Sequence, residues 1–191
     1  MRIAVLASGS GTILQAMIEA SIPIQLVVTD RQCTAETIAT HNNITLKRIE
    51  RNSYGKDFDR DTYTCEVRDA LIDHEIDLIA MAGFGTILNK PIYDDFSNRI
   101  LNTHPSLLPS FPGWHAVEEA LEYGVKVTGC TVHIATEEVD AGPILAQESI
   151  PVLKDDTKET LHERIKTVER QLYVDTINKI ITTNGQIERD Q

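Results

Sequence analysis

The sequence is short of cysteine, of aromatic side chains and of positive charge, and each shortage removes a class of protein. Its three cysteines, Cys33, Cys65 and Cys130, are odd in number, far apart and without C-x-x-C spacing. That pattern argues against a disulfide framework and a structural zinc site, and for reduced thiols in a cytoplasmic setting. Lysine and arginine number 18 against 29 acidic residues, a formal net charge of −11. A broad phosphate-tracking surface would be repelled by that balance, so neither nucleic acid nor an anionic membrane is an expected partner. One small anionic ligand held by local donors stays compatible with it. No apolar run approaches bilayer-spanning length. The opening MRIAVLASGSG reaches glycine and serine too soon for a secretory signal. Neither an internal repeat nor a low-complexity stretch occurs.

What is present reads as one globular domain over residues 1–191, with a polar tail, frayed or a short edge strand, at about 182–191. The content of 41% hydrophobic and 25% charged residues is ordinary for such a chain. RIAVLA (2–7) is a short continuous apolar run of the kind buried on both faces of a parallel sheet, and IQLVVTD (24–30), ITLKRI (44–49), DLIAMAG (77–83) and RILNT (99–103) read as further strands. Between them, 12–20 and 62–74 read as helices, the latter with Val67, Leu71 and Ile72 on one face, 36–41 as part of a helix, and 88–97 as a short helix or turn. This alternation predicts a three-layer α/β fold with a mostly parallel twisted sheet. Two β-rich runs, 126–135 and 144–152, then suggest an antiparallel extension. A long amphipathic helix over 160–181 closes the chain, with Leu161, Ile165, Val168, Leu172, Ile177 and Ile180 at helical intervals.

Three stretches carry candidate chemistry. ASGSGTILQ (7–15) follows the first strand and opens the first helix, where backbone N–H groups can cradle a phosphate. It is neither a dinucleotide fingerprint, since Leu14 stands where the third glycine belongs, nor a P-loop. The plain alternative is a tight turn. LNTHPSLLPSFPG (101–113) places Asn102 and His104 two apart at the carboxyl end of a parallel strand, so both side chains leave the same face. An amide can donate to a developing oxyanion and an imidazole can move a proton. Equally, Asn102 could cap a turn and His104 could be a structural histidine. EEVDAGPIL (137–145) carries Asp140 at a Gly-Pro turn, either as a turn aspartate or as the partner of His104. The remaining histidines, His41, His74, His115, His133 and His162, lack metal-ligand spacing, so no metal is expected. No G-x-S-x-G elbow is present, and covalent catalysis is disfavoured.

Taken together, SGSGT (8–12), LNTHPSLLPSFPG (101–113) and TVHIATEEVDAGPIL (131–145) resemble the folate-dependent formyltransferase family, over essentially all of Arg2 to Ile181. The resemblance implies a Rossmann-like formyltransferase fold with a cis peptide at Leu108–Pro109. It implies formyl transfer from 10-formyltetrahydrofolate, as co-substrate, to the primary amine of glycinamide ribonucleotide in purine synthesis, without a metal. Carried across by position, Asn102, His104 and Asp140 fall on the catalytic trio. Gly11, Thr12, Ile13 and Glu169 fall on the ribonucleotide site, and Arg60, Gly85, Thr86, Ile87, Leu88 and Asn102 on the folate site. Ile13, Gly85 and Thr86 depart from the family's usual Asn, Met and Arg. A formyltetrahydrofolate hydrolase and a non-catalytic folate- or nucleotide-binding module are the alternatives. Monomer and homodimer are both compatible with the sequence.

Overall fold

The computed structural model describes residues 1–187. In chain order the elements are β1 (Ile3–Ala7), α1 (Thr12–Glu19), β2 (Ile24–Thr29), α2 (Thr34–His41), β3 (Thr45–Arg48), α3 (Arg60–Asp73), β4 (Leu78–Met81), α4 (Lys90–Asp95), β5 (Ile100–His104), α5 (Ala116–Tyr123), β6 (Val127–Ile134), β7 (Ile144–Pro151) and α6 (Lys158–Thr182). They fall into two compact units, Met1–Leu101 and the chain from Asn102 onward.

In the first unit the strand order is β3-β2-β1-β4, and every pairing is parallel, with Val5 opposite both Val27 and Ala80. All five β1 residues are buried, which is why that run reads as continuously apolar rather than alternating. Because the strands are parallel, the turns after β1, β2 and β4 emerge at one edge of this sheet. The Ser8 N–H donates to the Gly83 carbonyl at 3.1 Å, and the Gly85 N–H donates to Ser8 Oγ at 2.6 Å, tying two of those turns together. The buried stripe of α3 is Tyr63, Val67, Ala70 and Leu71, while Ile72, expected on that face, is 50% exposed. One residue turns a helix by about 100°, so Ile72 lies about that far beyond Leu71 and faces away from the stripe.

In the second unit the order is β5-β6-β7, with β6 and β7 antiparallel from Val127 opposite Pro151 onward. Val117 of α5, Cys130 of β6, Ile150 of β7 and Leu161 and Ile165 of α6 form its core, with Val168 and Leu172 packed partly buried against it. Burial pushes the Cys130 thiol up to about 12, which makes it an inert packing group. The α6 helix begins in a capping box between Thr157 and Thr160. Helix α5 has no counterpart in the hydrophobic pattern, because its buried face is only Ala116, Val117 and Ala120. The expected tail begins where α6 ends, and its residues 188–191 lie outside the described part. No helix among the described residues is long and apolar enough to cross a membrane.

Candidate active site

The second unit builds its polar centre from the loop that follows β5. That loop runs through a cis Leu108–Pro109 peptide, as the resemblance implies. It is pinned from the hairpin side. Thr131 Oγ1 donates to the Ser106 carbonyl at 2.7 Å and accepts the Leu108 N–H at 3.0 Å, while Gln147 Nε2 donates to the Leu108 carbonyl at 2.9 Å. Phe111 takes a left-handed backbone, φ 53°, and its carbonyl turns back to His104 Nε2 at 2.7 Å.

His104, 4% exposed, therefore faces acceptors on both ring nitrogens, since its Nδ1 lies 3.2 Å from Asp140 Oδ2. A ring that donates from both nitrogens carries a positive charge. The Asp140 side chain is buried and its Oδ2 also takes the Gly113 N–H at 2.8 Å. Burial alone would raise the Asp140 pKa. The His133 ring, the Gly113 amide and the charge on His104 outweigh it, and hold the carboxyl below its ordinary value. Asp140 itself sits at φ 56°. Two residues on, the turn presses so closely on β6 that a Cβ at Gly142 would fall 1.9 Å from the Ile134 carbonyl oxygen. Only glycine admits that approach.

The expected trio is thus assembled in part directly and in part through a residue that sequence reasoning set aside. Asn102 does not touch His104 or Asp140 in any hydrogen bond found. Its Nδ2 lies 3.2 Å from His133 Nε2, and that same nitrogen is 3.6 Å from Asp140 Oδ1. In the sequence His133 stands out only as one of five histidines without metal-ligand spacing. The available signal was a histidine inside an otherwise apolar β6 segment, where a buried polar ring needs partners.

Glu169, on α6, is 8% exposed and accepts from Thr103 Oγ1 at 2.8 Å. Burial raises its pKa, and Thr103, Lys166 and Arg170 offset that only in part. Thr103 is the residue between Asn102 and His104 on β5, so alternate positions of one strand feed two polar clusters.

The first unit holds the other expected positions. Gly11 is the left-handed N-cap of α1, φ 70°, and neither a capping side chain nor an acidic residue occupies the first turn. The leading N–H groups of a helix have no intrahelical acceptors, which leaves them free for an anion. Ile13 is 6% exposed, so its side chain belongs to the core and only its backbone is presented. Along the turn after β4 the pattern alternates: Thr86 and Leu88 are buried, Gly85 and Ile87 half-buried. Thr86 Oγ1 donates to Asp30 Oδ2 at 2.8 Å, and Arg31 grips the same fully buried carboxylate with two bonds of 2.9 Å. Burial raises the Asp30 pKa, but the bonds from Arg31, Thr86 and Ser8 more than reverse it. A Cβ at Gly85 would stand 3.1 Å from Arg31 Nη2, so the missing side chain makes room for that guanidinium. Arg60 starts α3, and its buried Nε has no hydrogen-bond partner among the described residues. No cluster of His, Cys, Asp and Glu among them could hold a metal ion.

Comparison with known proteins agrees with this arrangement. The sequence model described as Formyl transferase matches residues 1–177. A phosphoribosylglycinamide formyltransferase of Mycobacterium tuberculosis is 43% identical over 95% of this chain and 85% of its own length. The crystal structure of glycinamide ribonucleotide transformylase 1 from Symbiobacterium toebii superposes with TM-score 0.86 at 40% identity, covering 93% of this chain and 85% of that one. That of phosphoribosylglycinamide formyltransferase from Bacillus halodurans gives 0.88 at 34%, covering all of both chains.

Proposed function

The chain belongs to the formyl transferase family, and from that premise we propose that it transfers the formyl group of 10-formyltetrahydrofolate to the primary amine of glycinamide ribonucleotide, a step of purine synthesis. The observation that carries the reading is the buried contact between Asp140 and His104 at 3.2 Å, with Asn102 linked to the same carboxylate through His133. Simple binding of a folate or a nucleotide would not require a buried carboxylate, an imidazole and an amide at one place. The family match runs across both compact units, which supports taking 1–191 as one formyltransferase domain. A reaction on small phosphorylated metabolites fits the cytoplasm.

The chemistry follows from the substrates. The amine nitrogen attacks the formyl carbon, a C–N bond forms, and the carbonyl electron pair moves onto oxygen. Collapse of the tetrahedral intermediate breaks the bond to the folate nitrogen, which takes up the proton that the amine loses. Asn102 donates to the oxyanion; such a donor is typically worth about 3 kcal/mol. His104, charged beside Asp140, serves as the second donor and as proton carrier. Both its nitrogens already have acceptors, so that donation requires the substrate oxygen to replace either Asp140 or the Phe111 carbonyl. Alignment of the two substrates can supply roughly 7–11 kcal/mol more. The ribonucleotide phosphate meets the leading N–H groups of α1 at Gly11, Thr12 and Ile13, and Glu169 meets the glycinamide end. Arg60, with its unpartnered Nε, and the Gly85–Leu88 turn serve the folate.

The test is an assay of purified protein with 10-formyltetrahydrofolate, with and without glycinamide ribonucleotide. Deformylated folate should appear only with the acceptor, matched by formylglycinamide ribonucleotide. Release of formate without acceptor would make the protein a hydrolase. No turnover at all would make it a binding module.

A further inference from the structure

Neither turn of the first unit that is expected to meet substrate carries a positive side chain. The glycine-rich turn reads SGSGTI (8–13) and the turn after β4 reads GTIL (85–88). Both substrates are anionic, one through its phosphate and the other through its glutamyl carboxylates, while the chain has a formal net charge of −11. We propose that Arg31, just past β2, is a further binding residue of the site: its outward N–H groups take an anionic oxygen of a substrate, either the ribonucleotide phosphate or a folate carboxylate. This assignment rests on the formyl-transfer reading for its two substrates, and adds a residue that neither expected turn contains.

Arg31 stands where a ligand at either turn would meet it. A Cβ on Gly85 would lie 3.1 Å from Arg31 Nη2 and 3.4 Å from Ser8 Oγ. The guanidinium therefore fills the space that a side chain at residue 85 would occupy. It does so beside Ser8, the residue that opens the glycine-rich turn. All of these residues belong to the first unit.

The guanidinium is oriented as well as placed. An arginine fork carries five N–H donors. Nε and Nη2 each give one to the Asp30 carboxylate at 2.9 Å, and no hydrogen bond is found for the others among the described residues. The Asp30 side chain is wholly buried and that of Arg31 is 38% exposed. The paired edge of the fork thus faces the interior, and the unpaired edge is left open. Thr86 Oγ1 holds Asp30 in turn at 2.8 Å, and the Tyr54 ring centroid lies 5.3 Å from Arg31 Cζ, within cation–π range. A fork fixed on these sides gives up little freedom when an anion arrives. Because Asp30 offsets part of its charge, the gain comes mainly from directed N–H donors.

Dissociation constants for two pairs of ligands test this. One pair is 10-formyltetrahydrofolate and its analogue with both glutamyl carboxylates as amides; the other is glycinamide ribonucleotide and its dephosphorylated nucleoside. Arg31→Gln should weaken the anion-bearing member of at least one pair by about tenfold, as for one charge-assisted hydrogen bond. The partner lacking the anion should change less than about twofold, and the affected pair names the anion. Arg31→Gln alone strands a buried carboxylate, so the paired change Asp30→Asn with Arg31→Gln is measured beside it and should give the same selective loss. Equal weakening of both members of each pair, or no weakening of either anion-bearing ligand, would overturn the proposal. So would wild-type protein that binds the two members of each pair equally, a result that needs no variant. If wild-type protein binds both substrates but transfers no formyl group, the function fails and the anion site stands. If it binds neither, both fall.

Discussion

Asp140 Oδ2 meets His104 Nδ1 at 3.2 Å while holding the Gly113 N–H at 2.8 Å, so the carboxylate that faces the imidazole also clamps the loop in which the imidazole begins. Asp140→Asn keeps the shape and removes the charge. Turnover should fall by about 10²–10⁴-fold, the range of general acid–base assistance, with KM values little changed. The same variant tests the depressed pKa. A carboxyl whose folded value lies below its unfolded value, about 3.9, contributes stability above that value and loses it as pH falls through the folded one. The difference in melting temperature between wild type and variant should therefore be flat from neutral pH down to about pH 5 and shrink only in more acid solution.

Glu169 should behave with the opposite sign. Its folded pKa is raised by burial, so the wild-type chain loses stability as pH climbs from the unfolded value of about 4.3 through the folded one. Glu169→Gln keeps an acceptor for Thr103 and cannot ionise. Its melting temperature should gain on wild type as pH rises from about 4 to 8. Its KM for glycinamide ribonucleotide should rise, and that for folate should not. Parallel melting curves across the pH range would contradict the raised value.

Arg60 offers a buried Nε with no partner among the described residues, a costly arrangement unless a ligand supplies the acceptor. Arg60→Gln should raise the folate KM by about tenfold, the worth of one charge-assisted hydrogen bond, and leave kcat close to wild type. An unchanged folate KM would remove Arg60 from the folate site.

Restoring the family's usual asparagine at residue 13 should not improve the enzyme. The Ile13 side chain is packed in the core, so Ile13→Asn buries an amide among apolar neighbours. A loss of about 1–3 kcal/mol in chemical denaturation is expected, with no tighter binding of the ribonucleotide. A lower KM would show that the side chain reaches the phosphate after all.

Most strands were readable because they are buried on both faces, and a continuous apolar run is then the whole signal. Helix α5 was not, since two of its three buried residues are alanines, which hardly alter a hydrophobic pattern. Asn102 and His104 lie on one strand and declare themselves by their spacing. Asp140 stands out at its Gly-Pro turn, but only the resemblance favours the partner of His104 over a turn aspartate, because no local pattern says which way such a turn folds back. His133 was missed for a related reason. Its meeting with Asn102 depends on how β6 is placed in the second unit, 31 residues further along the chain. The grip of Thr86 and Arg31 on Asp30 likewise depends on parallel register, which aligns the ends of strands distant in sequence.

The left-handed backbone at Asp140 narrows the mutational neighbourhood of that position. Of the residues one base change away from aspartate, only asparagine, glycine and histidine settle readily at φ 56°. Asparagine loses the charge, glycine the whole side chain, and histidine replaces the carboxylate by a bulkier ring that can be cationic. Alanine, valine, tyrosine and glutamate add backbone strain, and glutamate in addition moves its carboxylate a methylene further out. The site thus has no cheap step that keeps both conformation and chemistry, and a lineage that leaves aspartate here abandons one of them at once.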